Sequence, residues 1–307
     1  MRLRQLRFLV AVVEEGSFTA AATRVHATQS GISAQIKLLE ESLDAQLFER
    51  SVAGVVPTAA GRLVYQRATR ILRETTAMIS DVSEMQGTVT GKVSAGLMPT
   101  TTRSVVAPVL DKFARRYPNI EVKIEEAYSA HLSQGVRSGR LDFAVVPPST
   151  VEAGLRSTPL ETDIEVFVTG PNNELTNLSP VDLTTMESLK LVLPGPDNAR
   201  RSSIEEVIRY HDITVDRVME LDSMMATLDL VARSDWTTIL PGCLVIDDLA
   251  SSERQLHPIT HPAMSLEYVL IEQASSTLLP AARLLCEAIQ AELAEVCANS
   301  RATFATS

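Results

Sequence analysis

Cysteine is scarce in this chain of 307 residues: there are three, Cys243, Cys286 and Cys297, and no two are close in sequence. That spacing argues against a disulfide framework or a cysteine-based zinc motif and fits a reducing cytosol. Long apolar runs are also missing, since no uncharged stretch approaches the roughly 18 residues of a membrane span. The run Phe8 to Val13 is interrupted by Glu14 and Glu15, and no secretory core or small-residue cleavage site follows Met1. A soluble, cytoplasmic protein without membrane contact is expected. Signs of catalysis are equally thin, with no Walker loop, no Ser/His/Asp arrangement and no paired-carboxylate motif. His257 and His261 have the i, i+4 spacing of a helical metal pair, but Pro258 and Pro262 argue against the helix that would aim them together. No enzyme activity, catalytic residue, metal or cofactor is expected.

What the chain does have is charge, unevenly placed. The net charge is −10, yet residues 1–73 carry net +4 and the remainder net −14. An acidic body repels phosphates, so any nucleic-acid contact belongs to the N-terminal part. There, Leu6, Leu9, Val10 and Val13 mark an amphipathic helix ending at Gly16. Ser17 can cap a short second helix with Ala21, Ala22 and Val25 inward. Thr28 can cap a third, with Ile32, Ile36, Leu39 and Leu43 as its apolar stripe. Two short helices in tight succession, the second presenting polar residues away from its stripe, form a helix-turn-helix pattern. Leu47 to Arg50 and Val55-Val56 around Gly54 read as the two strands of a wing.

A long helical pattern runs from Thr58 to about Gln86. Val64, Ala68, Ile71, Thr75, Met78, Val82 and Met85 alternate spacings of four and three, the signature of a coiled-coil seam. The alternative is a helix buried on its own domain. Gly87 and Gly91 bracket a hinge. Beyond it, strand and helix patterns alternate: strands at 93–97, 121–126, 141–146, 190–193, 218–221, 236–240 and 266–271, and a last helix from Leu279 to about Val296. Such alternation predicts an α/β domain with a parallel sheet, too long for one lobe, with a ligand crevice between two.

The N-terminal residues carry a resemblance. Leu6 to Ala22, Thr28 to Glu40, Leu43 to Arg50 and Pro57-Thr-Ala-Ala-Gly61 resemble the LysR-type transcriptional regulators, and Leu141-Asp142 and Thr238 to Pro241 sit where that family has similar strings. The resemblance implies a winged helix-turn-helix at 1–58, a dimerising linker helix and hinge at 59–90, and a type 2 periplasmic-binding-protein-like effector domain at 91–297. Its lobe I would be 91–161 with 266–297 and lobe II 162–265, leaving 298–307 as a disordered tail. It implies double-stranded promoter DNA, RNA polymerase and a small-molecule effector as partners, and a homodimer or homotetramer as the assembly. Three features depart from relatives: Gly31 in the recognition helix, a wing without a basic residue at 51–56, and Trp236 where glycine is usual.

On that reading, Gln29, Ser30, Ser33 and Ala34 enter the major groove, where Gln pairs with adenine and Ser bonds a base edge or phosphate. Gln35, Lys37 and Arg50 are expected to clamp phosphates. In the effector domain, Thr100, Thr101 and Thr102 between a strand and its helix, Ser129 after the next strand, and Arg200-Arg201 at a further helix start suggest a site for a small anion. Plain N-capping with surface arginines is the alternative. Met98, Pro147 and Trp236 are expected to add apolar wall. A solute-binding protein of the same two-lobed fold, or a regulator that needs no ligand, are the competing functions.

Overall fold

The computed structural model describes residues 1–51, 54–85, 89–148, 154–196 and 198–305, and the side chains of 50, 51, 80, 81 and 83–85 fall outside that description. The chain divides into two compact units, residues 1–88 with 138–140, and residues 89–137 with 141–307.

The first unit holds α1 (Leu3–Glu15), α2 (Phe18–Arg24), α3 (Gln29–Leu43), β1 (Phe48–Ser51), β2 (Gly54–Pro57) and α4 (Ala59–Met85). Local chemistry sets each boundary. Gly16 closes α1 at φ 60°, a left-handed conformation that costs glycine least. The hydroxyls of Ser17, Thr28 and Thr58 accept from the N–H groups of Ala20, Gly31 and Gly61, capping α2, α3 and α4. The core joins Leu6, Leu9 and Val12 of α1 to Ile32, Ile36 and Leu39 of α3. Val10 and Val13 pack half-buried against this core as expected, Phe8 and Val12 are buried in it as well, and Leu43, expected in the stripe of α3, is 39% exposed at the helix end.

The expected seam of α4 divides in two. Ala68 is buried, and Val64, Tyr65 and Leu72 pack against the same core, so the first turns serve their own domain. Ile71, Met78, Ile79 and Val82 stay exposed. The side chain of Met85 and the hinge at 86–87 lie outside the described residues.

The second unit begins with β3 (Gly91–Leu97), α5 (Pro99–Thr101), a π-helical turn (Thr102–Val106) and α6 (Ala107–Arg116). Next come β4 (Ile120–Glu126), α7 (Ser129–Ser138), β5 (Phe143–Val146) and β6 (Leu155–Thr169). After them follow β7 (Val181–Asp182), β8 (Leu189–Leu193), α8 (Ala199–Tyr210), β9 (Val215–Glu220), α9 (Met224–Arg233), β10 (Thr238–Pro241) and α10 (Gly242–Val245). The unit ends with β11 (Gln255–His261), β12 (Ser265–Gln273) and α11 (Pro280–Phe304).

The large sheet is mixed rather than parallel, while a separate pair in lobe II, β8 with β9, is parallel as expected. Strand β3 runs parallel to β4 and β5, but β12 is antiparallel to both β5 and β6, and β10 and β11 are antiparallel to β6. One strand therefore serves both lobes: residues 155–164 of β6 pair with β12, and residues 165–169 pair with β10 and β11. Lobe I closes around Val93, Leu97, Phe143 and Leu285, and lobe II around Val166, Val168, Leu240 and Leu256. The tail expected at 298–307 is instead helical to Phe304. Cys297, Ser300 and Phe304 continue the buried stripe of α11, and Phe304 ends in the core of lobe II.

Candidate functional site

Residues Gln29, Ser30, Ser33, Ala34 and Lys37 of α3 are all exposed, opposite the buried Ile32, Ile36 and Leu39. Gln29, Ser33 and Lys37 stand one turn apart and line a groove of about 710 Å³ walled by Phe18 of α2 and Phe48 and Val55 of the wing. Two acids share the groove, Glu40 and Glu49. Glu40 is committed to structure, accepting from the Leu47 N–H at 2.7 Å. Gln35 lies off this face: it is half-buried, and its carbonyl accepts from the side chain of Gln5. The side chain of Arg50 lies outside the described residues. Gly31 has a local reason, because a Cβ there would sit 2.9 Å from the Thr28 hydroxyl that caps the helix. The cap, about 1 kcal/mol, offsets the similar helix-propensity cost of glycine.

In the second unit a cleft between the lobes is lined by Met98, Thr100 and Tyr128 from lobe I and by Asn198, Arg200 and Thr227 from lobe II. It encloses about 30 Å³, room for little more than one water. Of the expected ligand residues, Thr100 and Arg200 reach it. Thr101 is fully buried outside the lining, Ser129 is buried at the start of α7, and Thr102, whose hydroxyl donates to the Met98 carbonyl, lines the adjoining open mouth of about 410 Å³ with Arg103, Tyr128 and Asp222. Pro147 and Trp236 do not line it; Trp236 borders a separate surface groove with residues 170–174.

The donors and charges expected to hold an anion at these helix starts are largely engaged within the protein. Pro99 has no N–H, and the amides of Thr101 and Thr102 donate to the Met98 carbonyl at 2.9 Å each. Arg200 is 5% exposed and holds both carboxylate oxygens of Glu165, at 2.9 and 2.8 Å, and the Ile239 carbonyl. Arg201 is paired with Glu205 and Glu220. What remains is a neutral lining whose Thr100 hydroxyl is buried without a hydrogen-bond partner. Asn198, missed in the sequence, caps α8 by accepting from the Arg200 N–H, a role that its place before the helix could have indicated. Tyr128, also missed, faces Asp222 across the cleft, and burial, then that carboxylate, pushes its hydroxyl up. The π-helical turn ties the lobes together, with Arg103 paired to Asp248 and Ser104 donating to the Cys243 carbonyl.

His257 and His261 make unrelated contacts. The buried His257 ring lies 3.1 Å from the Thr169 hydroxyl and 3.3 Å from that of Ser179, whereas His261 packs edge-on against His211. Burial holds the His257 imidazole below its ordinary value of 6.5. The folded chain keeps it neutral where the unfolded chain takes up a proton. Its contribution is therefore complete above about pH 6.5 and is lost as pH falls toward the lowered folded value. Thermal melts across that range should decline for the native chain and decline less for His257→Gln; equal declines would assign the effect to another group.

The description "Bacterial regulatory helix-turn-helix protein, lysR family" matches residues 3–62, and "LysR substrate binding domain" matches residues 86–294. The chain belongs to the LysR family. It is a DNA-binding transcriptional regulator with an effector-binding domain. Among the LysR proteins it resembles is the nitrogen assimilation regulatory protein nac of Klebsiella aerogenes, 30% identical over 288 residues that cover 94% of this chain and 93% of the relative. Solved structures share the fold of this LysR regulator. A full-length OxyR variant from Pseudomonas aeruginosa aligns with a TM-score of 0.79 at 22% identity, covering 97% of each chain. Full-length CbnR complexed with its target DNA aligns at 0.63 and 19%, covering 95% of this chain and 100% of that one. No helix among the described residues is long and apolar enough to cross a membrane.

Proposed function

We propose that this LysR regulator acts in the cytoplasm as a homodimer or homotetramer on promoter DNA, where it meets RNA polymerase, and that a small molecule between the lobes sets its activity. The observation that carries this reading is the solvent-facing side of α3: Gln29, Ser30, Ser33, Ala34 and Lys37 are exposed together, and among the described residues only Ser30 makes a side-chain hydrogen bond, to the Thr28 hydroxyl at 3.4 Å. Gln29, Ser30, Ser33 and Ala34 read base edges, and Lys37, with Gln35 and Arg50 at the margins, holds phosphates. The exposed Leu63, Ile71, Met78 and Val82 follow one stripe of α4 and supply the dimer contact, and a dimer matches two half-sites. The effector we favour is uncharged, since Arg103, Arg200 and Arg201 are all paired, and it enters the enclosed part of the cleft only when the lobes part, since about 30 Å³ is too small for it. Thr100 and Asn198 are its polar contacts.

Gln29→Ala and Ser33→Ala should each weaken binding to the specific promoter by about 1–3 kcal/mol and leave random DNA nearly unchanged. Lys37→Ala should weaken both and reduce the salt slope by about one. Equal losses on both DNAs for Gln29→Ala would remove it from the base-reading set. A regulator that responds to no ligand is the reading favoured if a metabolite screen by thermal shift finds no molecule whose effect Thr100→Val abolishes.

A further inference from the structure

The three cysteines have no motif spacing, yet the fold brings two of them together with an acid. Asp163 of β6, Cys243 of α10 and Cys297 of α11 are 0–1% exposed, and one carboxylate oxygen and the two sulfurs lie within 4.8 Å of one another. The hydroxyl of Tyr268, on β12, lies 3.4 Å from the Cys243 sulfur and completes the enclosure. Asp163 is held by one bond, the Cys243 N–H donating to Oδ2 at 2.6 Å. Its other oxygen, Oδ1, is buried with no hydrogen-bond partner, and no ion pair involving Asp163 forms among the described residues. A buried carboxylate without a counter-charge is costly, and here two soft donors stand beside it. Around a tetrahedral zinc-class ion, bond lengths of about 2.0–2.3 Å place ligand atoms roughly 3.3–3.8 Å apart, inside the 4.8 Å that bounds the observed cluster.

We propose that Asp163, Cys243 and Cys297 form a buried site for a thiophilic divalent cation at the junction of the two lobes. Its assembly is balanced by proton release: the ion replaces the two thiol protons, two metal–sulfur bonds form, and two protons leave to solvent, so uptake tightens with rising pH. The ion neutralises two of the three negative charges then present. It also ties together three segments that meet where the lobes join, the crossing of β6, the β10–α10 corner and the last turns of α11.

The test is a titration of the full-length, metal-stripped chain with cadmium ion, read by thiolate-to-metal charge-transfer absorbance. The expected result is a band that saturates at one equivalent, disappears in Cys297→Ser, weakens at least about tenfold in affinity in Asp163→Asn, and persists in Cys286→Ser, whose thiol is buried elsewhere. Circular dichroism checks that each variant folds, and if Cys297→Ser does not, Asp163→Asn carries the location. Absence of the band in the unsubstituted chain, a band lost equally in Cys286→Ser, or recovery of a Cys243–Cys297 disulfide with no metal uptake would overturn the site.

Discussion

Glu165→Ala should destabilise the effector domain by about 3–5 kcal/mol, because it leaves the Arg200 guanidinium buried without its counter-ion. Both side chains are 5% exposed, and Arg200 Nε already lacks a partner, so the remaining Ile239 carbonyl is a poor substitute for two charged oxygens. The double variant Glu165→Leu/Arg200→Met should recover most of that loss, since removing both charges also removes their desolvation penalty. Urea unfolding followed by circular dichroism measures both. A loss under about 1 kcal/mol for the single variant would mean that water reaches Arg200.

Gly61→Ala should disable the first unit. The added Cβ would lie 2.0 Å from the Leu47 carbonyl oxygen and 3.2 Å from Pro57 Cβ, and neither neighbour can yield. Leu47 is fully buried, its N–H is bound by Glu40, and its carbonyl accepts from the Thr58 N–H that opens α4. Overpacking against fixed backbone costs about 3 kcal/mol, a large part of the stability of a domain this small. DNA binding should fall alike on specific and random sequence, while the unfolding of the effector unit stays in place. Full binding by the variant would show that α4 can slide away from Leu47.

These two sites illustrate what a sequence discloses. The helix-turn-helix is legible because its signals are local: Gly16, Ser17, Thr28 and Thr58 mark boundaries within one turn of the residues they bond, and the apolar spacing repeats. Strand β6 does not read as a strand. Its first half, Leu155 to Glu161, is mostly exposed, contains Pro159 and shows no alternation, and it is held in place by β12, about a hundred residues later. The end of α11 is misread from sequence because Asn299, Ser300 and Arg301 look like a polar tail, although Phe304 keeps the helical spacing from Cys297. In the cleft, Arg200 reads as an available cation until Glu165, 35 residues upstream, is seen to hold it. The meeting of Cys243 and Cys297 is hidden for the same reason: pairing at a distance leaves no trace in spacing.

The continuity of β6 also determines what kind of movement the effector domain can make. With residues 155–164 laced to β12 and residues 165–169 laced to β10 and β11, no slack loop separates the lobes along this strand. Along this strand, a change of angle between the lobes is torsion in an extended backbone around Ile164 and Glu165, where the hydrogen-bonded neighbours change. An extended segment clamped on both sides twists with a restoring force and returns to one angle, so the lobes behave as two plates on a torsion bar. Such a device resists sliding and favours a narrow range of rotation, which lets a small change in the cleft arrive elsewhere as a reproducible change of angle.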